Sequence, residues 1–554
     1  MEFNSLFDML KNSVKVYDKN FIYKYKSGEE YVGITYKDFY QKVLYLISGF
    51  KEIGIKKGDK LFIFSDNRIE WMIIDFALQG LGAVGIPRGT DTAPNEVDFI
   101  LKHSEATRLI IENSKCEEKL ANLNLNLQTI SISNDAKNVK YNLDQLFKIG
   151  KNNYDKNKSS IEKEVSEIRK DDTVTIIYTS GTTGNPKGVM LTHRNFLHNA
   201  INTTERLLIN NHDRFISMLP IWHVFQRTCE YITIYAGTEI YYSNLKNFTK
   251  DIKVVRPTML AVVPRILESF YEKVQFNLER SSAFKKILFN FFYAASSAYF
   301  DCKSYVLKRE PLYKSRNPFI IIFYSIAMAF LFPSNALAKL IFKFLKDILG
   351  GKNRILVSGG GALPRHIDKF FNVIGFNMLD GYGLTESSPI IAVRDPIKPV
   401  LSTIGKPLKG VEAKIISIEN KSDLPFGEKG ELVVKGELVM KGYYRNEELT
   451  NKTIENGFLH TGDLAVMTKS GEISILGRIK DTIVLSGGEN VEPEHLEAYL
   501  NKSEFISNSI IVGHNQKKIG ALITLNKENL LEYCKQNSIS YESFEELTRK
   551  EFVT

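Results

Sequence analysis

Residues 175–188 constrain this chain more than any other stretch, because they fit one kind of local structure and ligand. They read Thr-Ile-Ile-Tyr-Thr-Ser-Gly-Thr-Thr-Gly-Asn-Pro-Lys-Gly, and the apolar run at 174–178 is typical of a β-strand. Glycines after a strand let successive backbone N–H groups point at one place, which creates an anion-binding nest. Hydroxyl groups add hydrogen-bond donors and Lys187 adds a positive charge, so the combination suits a polyphosphate.

This loop predicts a nucleotide-phosphate site, although runs of Gly, Ser and Thr also occur in ordinary surface turns. It is not a Walker A loop, because Lys187 follows proline rather than glycine and precedes neither Ser nor Thr. The complete string, including Pro-Lys-Gly, indicates a nucleotide-phosphate loop more specifically than the Gly, Ser and Thr content does alone. Besides Lys187, the residues predicted to contact the phosphates are Thr179, Ser180, Gly181, Thr182, Thr183 and Gly184.

Length, charge and cysteine content exclude several classes of protein. The chain has 554 residues, which exceeds one ordinary hydrophobic core and predicts two or more packed units. Its net charge is +9, but no basic stripe is interleaved with aromatic residues, so we expect no nucleic-acid partner. Its 4 cysteines are far apart, which predicts neither a zinc site nor a disulfide framework. Polar residues near the start predict no export signal.

The order of apolar segments predicts an α/β protein. Helix-like and strand-like segments alternate over residues 1–170 and again over 172–390, which favours a largely parallel sheet. Residues 113–170 are rich in Asn, Lys and Ser, and we expect this stretch to carry loops. From about residue 401, short strands separated by glycines predict a small β-rich subdomain, followed after residues 477–481 by a short α+β unit.

One strongly apolar segment, residues 319–332, lies between Pro318 and Pro333. A helix of this length rises roughly 21 Å, which is short of the ~30 Å hydrocarbon core of a membrane, so we expect no transmembrane span. A buried core helix and an interfacial helix both remain open. Basic residues that favour anionic lipid headgroups flank the segment on both sides: Lys314, Arg316, Lys339, Lys343 and Lys346.

A second group of glycines, Gly359, Gly360 and Gly361, follows a strand-like run. These glycines allow the backbone to approach a flat ligand such as a purine. Further along, residues 380–387 read Asp-Gly-Tyr-Gly-Leu-Thr-Glu-Ser, and we expect the Gly-Tyr-Gly part to form a turn.

The motif at residues 380–387 supplies three useful side chains. Tyr382 offers a stacking face, Thr385 a hydroxyl group for phosphate, and Glu386 a hard oxygen ligand for Mg²⁺. An isolated glutamate is more often a solvated surface carboxylate. The glycine loops before it make Glu386 a candidate metal ligand.

Asp463, in a Thr-Gly-Asp-Leu sequence, is the candidate for binding ribose hydroxyl groups from a tight turn. An aspartate in a turn usually caps its own backbone, so this assignment has an alternative. Arg478 follows and provides a cation for the same ribose or for a phosphate.

Taken in this order, these elements resemble the motifs of the adenylate-forming superfamily, which includes acyl-CoA synthetases, peptide-synthetase adenylation domains and firefly luciferase. The resemblance extends from about residue 36 to residue 526. Residues 219–227 and 380–386 are most similar to long-chain fatty acyl-CoA synthetases, as are the apolar insertion before Gly359 and the junction at residues 477–481.

The resemblance implies a fold and a reaction. The implied fold is α/β, with two α/β sheets packed together plus a small β-rich subdomain in residues 1–476 and a small α+β lid in residues 477–554. In the implied reaction, a long-chain fatty carboxylate attacks the α-phosphate of Mg·ATP to give acyl-adenylate and pyrophosphate, and the CoA thiol then displaces AMP to give the thioester. From the residues themselves, we expect a cytoplasmic location and peripheral contact between residues 319–332 and anionic lipid at the inner membrane face.

The resemblance also implies roles for individual residues. The catalytic group is Lys187, His223, Thr385 and Glu386, with Glu386 as the metal ligand. Lys480 is the implied hinge of the lid, and Gly487 and Gly488 line the CoA channel. Besides the phosphate loop, the implied nucleotide-binding residues are Gly359, Gly360, Gly361, Asp380, Gly381, Tyr382, Gly383, Thr385, Asp463 and Arg478.

Two departures from the family pattern leave alternatives open. Some bacterial relatives have a gate tryptophan where this chain has Arg227. The lid lysine of the family has no match before Thr554, since Lys550 lacks its sequence context, so we expect a fragment or a shortened gene product. The alternatives to a CoA ligase are an enzyme that loads a carrier protein and a non-catalytic nucleotide or acyl binder.

Overall fold

The fold is known from a computed structural model, which describes residues 2–123, 125–179, 185–311, 317–486, 489–503, 505–537 and 539–548. Several residues singled out in the sequence lie outside the described part of the chain: Ser180, Gly181, Thr182, Thr183, Gly184, Lys314, Arg316, Gly487, Gly488 and Lys550.

The strands, numbered in chain order, are β1 Phe21–Ser27, β2 Glu30–Thr35, β3 Lys60–Phe64, β4 Val84–Arg88, β5 Arg108–Ile111, β6 Gln128–Ser131, β7 Tyr141–Asn142, β8 Thr173–Thr179, β9 Lys187–Thr192, β10 Arg214–Ser217, β11 Glu239–Tyr242, β12 Met259–Val262, β13 Ile355–Ser358, β14 Met378–Gly383, β15 Ile390–Val393, β16 Lys406–Pro407, β17 Glu412–Ile416, β18 Lys429–Lys435, β19 Gly442–Tyr443, β20 Ile454–Glu455, β21 Phe458–Met467, β22 Ile473–Arg478, β23 Ile483–Val484, β24 Asn490–Val491, β25 Ile506–Val512 and β26 Gly520–Leu525.

The helices are α1 Leu6–Tyr17, α2 Tyr36–Glu52, α3 Ile69–Leu81, α4 Pro94–Ser104, α5 Ser114–Leu120, α6 Leu143–Ser166, α7 His193–Leu207, α8 Val224–Ala236, α9 Phe248–Val255, α10 Pro264–Glu279, α11 Ala283–Val306, α12 Pro318–Ile341, α13 Lys343–Ile348, α14 Arg365–Val373, α15 Glu447–Thr453, α16 Pro493–Leu500, α17 Lys527–Gln536 and α18 Phe544–Leu547. Short 3₁₀ helices cover Thr385–Ser387 and Ile479–Asp481.

Two large, mainly parallel sheets form the bulk of the described chain. One has 9 strands in the order β16-β15-β14-β13-β12-β10-β11-β1-β2, and the other has 8 in the order β19-β9-β8-β4-β3-β5-β6-β7. The strands β10 to β14 in the first sheet are parallel, as are β3, β4, β5 and β8 in the second. Their apolar residues are buried on both faces, which is typical of parallel sheets covered by helices. The predicted α/β fold is confirmed.

A third, antiparallel sheet of 5 strands joins β17, β18, β20, β21 and β22, which confirms the predicted β-rich subdomain. The remaining described part is a small α+β unit with the hairpin β25–β26 and helices α16 and α17. The division into residues 1–476 and 477–554 stays a prediction, and its boundary falls inside β22.

The structure adds to the expected local structure in two places. Residues 113–170, expected to carry loops, also contain the 24-residue helix α6, which a capping box of Asn142 and Gln145 begins. The apolar segment does not end at Pro333, because this proline lies inside the 24-residue helix α12. The helix is therefore longer than residues 319–332, and residues 318–348 are long and apolar enough to cross a membrane.

Of the two alternatives left open for residues 319–332, the structure does not support the buried core helix. Asn335 and Ala338 are buried, but Phe319 and Phe330 are 79% and 84% exposed. Helices α11 and α12 pack on each other, with rings in contact between Tyr305 and Tyr324. One edge of this pair joins the protein core, and the other faces outward.

Candidate active site

The predicted nucleotide loops all begin at the carboxyl ends of sheet strands. Thr179 ends β8 and Lys187 begins β9, and these two residues are paired across the two antiparallel strands. β13 ends at Ser358, directly before the three glycines, and lies between β12 and β14. Crevices outside the carboxyl ends of strands are the usual ligand sites of α/β sheets.

Tyr443 connects Lys187 to Glu386, and it is not among the residues predicted from the sequence. Its hydroxyl group donates a hydrogen bond to Glu386 Oε1 at 2.8 Å. The Nζ atom of Lys187 lies over the Tyr443 ring, 5.9 Å from its centroid. Tyr443 is buried, so these three side chains form one continuous group. The Gly-Tyr-Tyr sequence at residues 442–444 is a recognisable pattern. Its distance along the chain from Lys187 and Glu386 did not indicate that Tyr443 contacts them.

Backbone pairing explains why Tyr443 lies between the two loops. Strand β19 is antiparallel to β9, with Tyr443 opposite Val189. Next to it, the Tyr444 N–H donates to the Gly188 carbonyl at 2.7 Å, and the Met440 N–H donates to the Glu386 carbonyl at 2.8 Å. The segment 440–444 is therefore bonded both to the strand after the phosphate loop and to the Glu386 turn.

Asp463 lies within strand β21 rather than in the tight turn expected from the sequence. Antiparallel pairing places it opposite Arg478, whose Nε is 2.8 Å from Asp463 Oδ1. The Tyr382 hydroxyl donates a hydrogen bond to Asp463 Oδ2. Burial raises the pKa of Asp463, against the opposing effects of Tyr382 and Arg478. The structure thus brings together three of the predicted nucleotide-binding residues, Tyr382, Asp463 and Arg478.

The expected Gly-Tyr-Gly turn is instead the end of strand β14, so that prediction is wrong. Its second glycine has a steric requirement, because a Cβ atom at Gly383 would lie 1.7 Å from the Pro389 carbonyl oxygen. Thr385 and Glu386 follow in a 3₁₀ turn. A larger residue at 383 would push this turn away from β15.

An apolar cavity of about 290 Å³ opens beside these loops. Of the predicted site residues, it is lined by His223, Gly359, Gly360, Gly381, Tyr382, Gly383 and Thr385. Gln226, Cys229 and Thr233 extend the lining along one face of α8, three and four residues apart. Since a helix rises 1.5 Å per residue, the wall from His223 to Thr233 is roughly 15 Å long.

His223 stands where the polar loops meet the apolar cavity. Its ring stacks on Trp222 with centroids 4.0 Å apart, and it directly precedes α8. Desolvation lowers the pKa of His223, and the nearby Arg88 lowers it further, which favours the neutral imidazole. A neutral ring can accept or donate one hydrogen bond at the cavity entrance.

Two predicted site residues have surroundings that the sequence did not indicate. The Asp380 carboxylate is 3.8 Å from the buried Arg394, and burial raises the pKa of Asp380 to about 7 although Arg394 opposes this shift. Lys480 is exposed within the Ile479–Asp481 turn. The roles of both residues stay predictions.

Arg227 does not line the cavity with its neighbours on α8. It is buried beside Asp75 of α3, with which it forms an ion pair, and its Nε donates to the Tyr231 hydroxyl at 2.9 Å. This helix-to-helix contact explains an arginine here in terms of packing. Because a helix distributes residues around its axis, sequence position alone did not show which way Arg227 points.

Comparison with known proteins identifies the family. A family model described as "AMP-binding enzyme" matches residues 11–444, and one described as "AMP-binding enzyme C-terminal domain" matches residues 480–543. This chain belongs to the AMP-binding enzyme family. The resemblance to adenylate-forming enzymes of the long-chain acyl-CoA ligase type is confirmed.

Several relatives of this AMP-binding enzyme match most of its length. "Probable acyl-activating enzyme 16, chloroplastic" from Arabidopsis thaliana is 33% identical, covering 100% of this chain and 81% of the relative. "Long-chain-fatty-acid--[acyl-carrier-protein] ligase AEE15, chloroplastic" from the same plant is 34% identical, covering 89% and 72%. "Long-chain-fatty-acid--CoA ligase FadD15" from Mycobacterium tuberculosis is 29% identical, covering 88% and 77%.

Solved structures share the fold of this AMP-binding enzyme. O-succinylbenzoate coenzyme A synthetase from Bacillus subtilis, in complex with ATP and magnesium ion, has a TM-score of 0.67 and 22% identity, covering 95% of this chain and 92% of the other. ATP-bound MatB from Rhodopseudomonas palustris has a TM-score of 0.67 and 21% identity, covering 94% and 88%. The roles of individual site residues stay predictions.

Proposed function

We propose that this adenylate-forming ligase activates a long-chain fatty acid with ATP and Mg²⁺ and transfers the acyl group to the thiol of CoA. The observation that carries the proposal is the apolar cavity that begins at His223 and Thr385 and continues past Cys229 to Thr233. An unbranched apolar chain fits such a cavity, while its carboxylate stays at the polar entrance.

In the first step, a carboxylate oxygen of the fatty acid attacks the α-phosphorus of ATP and pyrophosphate leaves. Negative charge then concentrates on the phosphate oxygens, where fixed cations and hydroxyl donors stabilise it most. Lys187 supplies the cation and Thr385 the hydroxyl group. In the second step, the thiol sulfur attacks the acyl carbon, AMP leaves, and the thiol proton goes to solvent or a nearby base.

The donor set fits one Mg²⁺ ion at Glu386. The described residues hold no group of three or more His, Cys, Asp or Glu side chains placed to bind a metal. Mg²⁺ in nucleotide sites commonly takes one or two carboxylates and fills its other positions with phosphate oxygens and water. When bound, the ion neutralises phosphate charge, while the Tyr443 hydroxyl holds the Glu386 carboxylate in place.

The remaining predicted nucleotide residues suit the ribose and adenine. Asp463, held by Tyr382 and Arg478, can accept hydrogen bonds from both ribose hydroxyl groups. The backbone at Gly359 and Gly360 borders the apolar cavity and suits a flat base. Lys480 as the lid hinge, Gly487 and Gly488 as CoA contacts, and a cytoplasmic location are proposed with this function on the family resemblance.

A second candidate acceptor is the phosphopantetheine thiol of an acyl carrier protein. The relative named as an acyl-carrier-protein ligase is 34% identical, which favours this alternative. Both acceptors present the same thiol to the same acyl-adenylate, so the fatty-acid half of the proposal does not depend on the choice.

The experiment separates activation from transfer. Purified full chain, ATP, Mg²⁺ and palmitate are mixed with hydroxylamine, and palmitoyl hydroxamate is measured by mass spectrometry. ATP-dependent hydroxamate supports activation, whereas its absence with several fatty acids contradicts the proposal. CoA or a holo-acyl carrier protein then replaces hydroxylamine, and the thioester formed identifies the acceptor.

The variant Glu386→Gln tests the metal assignment. It keeps the shape of the side chain but removes its charge, so we expect slower hydroxamate formation and a higher Mg²⁺ requirement. Glu412→Gln, at an exposed position on β17, is the matched control. Unchanged Mg²⁺ dependence in Glu386→Gln would mean that another group binds the ion.

A further inference from the structure

Helix α12 has an outward face made almost entirely of large apolar side chains. Phe319, Phe323, Ile326, Phe330, Leu337 and Leu340 recur at helical spacing along this face, and all are exposed. From the first to the last, the row is roughly 32 Å long. Large contiguous apolar surfaces on a soluble domain mark binding sites for partners or membranes.

The opposite face of α12 is attached to the protein. Ala338, with the following Phe342 and Leu345, joins a buried cluster that also contains Leu219 and Leu260 of the cavity wall. Toward the start of the helix, Tyr324 contacts Tyr305 of α11. The end of α12 is therefore anchored in the buried cluster and an earlier turn contacts α11, while the outward face is open.

Charge distinguishes among possible occupants of the open face. The sequences of α11 and α12 include a single acidic residue, Asp301, which pairs with Lys369 at 2.7 Å. Lys339 and Lys343 lie at the end of α12 and the start of α13, and both are exposed. An apolar stripe with lysines at its border matches the interface of an anionic bilayer, where acyl chains lie below phosphate groups.

We propose that the outer face of α12 docks on an anionic phospholipid membrane, with the helix lying in the plane of the interface. An in-plane orientation follows because the end of α12 is anchored in the buried cluster and its earlier part contacts α11, so that the outward face is the one free to meet lipid. The proposal rests on the surface of the molecule and is independent of the acceptor and of the activation chemistry.

Vesicle sedimentation of the full chain tests the docking. Ile326→Asp/Phe330→Asp adds two charges to the stripe and should lower binding to phosphatidylcholine–phosphatidylglycerol vesicles at least tenfold. The matched control is Ile418→Asp/Phe426→Asp, which makes the same changes at residues 53% and 60% exposed in the β-rich subdomain. Equal binding of both double variants, or no binding by the unaltered protein, overturns the proposal.

The lysines give a second, separate readout. Lys339→Gln/Lys343→Gln should weaken binding to the anionic vesicles by about fivefold for each lysine and leave binding to pure phosphatidylcholine unchanged. If the loss is the same on both kinds of vesicle, the charge part of the proposal is wrong. Hydroxamate formation by all these variants in the absence of lipid should match the unaltered protein, which checks their folding.

Depth measurements distinguish docking from spanning. Tryptophan is placed at position 323 or 337 by Phe323→Trp or Leu337→Trp, and quenching by lipids brominated at different depths is compared. An in-plane helix gives the same shallow depth at both positions, although they are roughly 21 Å apart along the axis. Different depths indicate a spanning helix and overturn the orientation. If Ile326→Asp/Phe330→Asp converts a lipid-free dimer to monomer, the face binds a second copy, and the membrane proposal is wrong.

Discussion

The hydroxyl group of Tyr443 is 2.8 Å from Glu386 Oε1, and the ring of the same tyrosine lies beneath the ammonium group of Lys187. One buried side chain thus contacts the predicted metal ligand and the predicted phosphate-binding cation. Tyr443 belongs to a strand of two residues, so its position depends on pairing with β9 rather than on a long element of its own. We regard it as a positioning residue.

Tyr443→Phe removes only this hydroxyl group and keeps the ring under Lys187. A hydrogen bond to a charged group contributes about 1.5–3 kcal/mol, so we expect the Mg²⁺ concentration for half-maximal activity to rise about tenfold or more. ATP-dependent hydroxamate formation at varied Mg²⁺ measures this. Tyr444→Phe, whose hydroxyl bonds to Lys60 instead, should leave the Mg²⁺ dependence unchanged. A merely structural Tyr443 would alter stability but not the Mg²⁺ requirement.

Cys229→Phe should shorten the acyl chain that the cavity accepts. Cys229 lines the cavity partway along α8, between His223 and Thr233. A phenylalanine side chain at this position would block the cavity about halfway along its length. We expect kcat/KM for palmitate to fall about tenfold or more while that for octanoate changes by about twofold at most. Cys229→Ala keeps the cavity open and serves as the control. An equal loss for both acids would place the acyl chain elsewhere.

Arg227→Met should destabilise the fold strongly without altering the nucleotide site. Both Arg227 and Asp75 are buried, and removing one partner of such an ion pair costs about 3–5 kcal/mol. The thermal midpoint should therefore fall by several degrees. Arg265→Met, at an exposed ion pair with Glu268, should change it little. Adding Asp75→Asn to Arg227→Met should restore part of the loss, because no unpaired charge then remains.

Glu230 gives the stability a predictable pH dependence. It is fully buried on α8, and desolvation raises the pKa of Glu230 to about 7. The folded state therefore holds this proton more tightly than the unfolded chain does. Below the pKa that Glu230 has in the unfolded chain, the protonated group contributes its full share to the free energy of unfolding. As pH rises toward 7, that stability is lost at about 1.4 kcal/mol per pH unit.

The test is Glu230→Gln, which cannot ionise. Its thermal midpoint should exceed that of the unaltered protein at pH 8, and the difference should shrink as the pH is lowered toward 5. Exposed Glu428→Gln should show no such trend. A Glu230→Gln difference that stays constant over this range would contradict the assigned pKa.

The sequence by itself determined the strand-to-loop elements and the family. Hydrophobic runs next to glycines identify β8, β13 and β14, because strand propensity and loop flexibility are local properties. The same local reasoning failed at Asp463 and at the Gly-Tyr-Gly motif, where glycines predicted turns and the structure has strands. Pairing with β22 and β15 decides both cases, and pairing is not local.

Only the tertiary structure decided which side chains meet and which surfaces stay open. Tyr443 reaches Glu386 across 57 positions of the chain, and Arg227 reaches Asp75 across 152, so sequence spacing carried no sign of either contact. For α12, composition showed an apolar helix but not its surroundings. The burial of a helix face depends on which other parts of the fold pack against it. Here the rest of the fold packs against one side of α12 and leaves Phe319, Phe323 and Phe330 exposed.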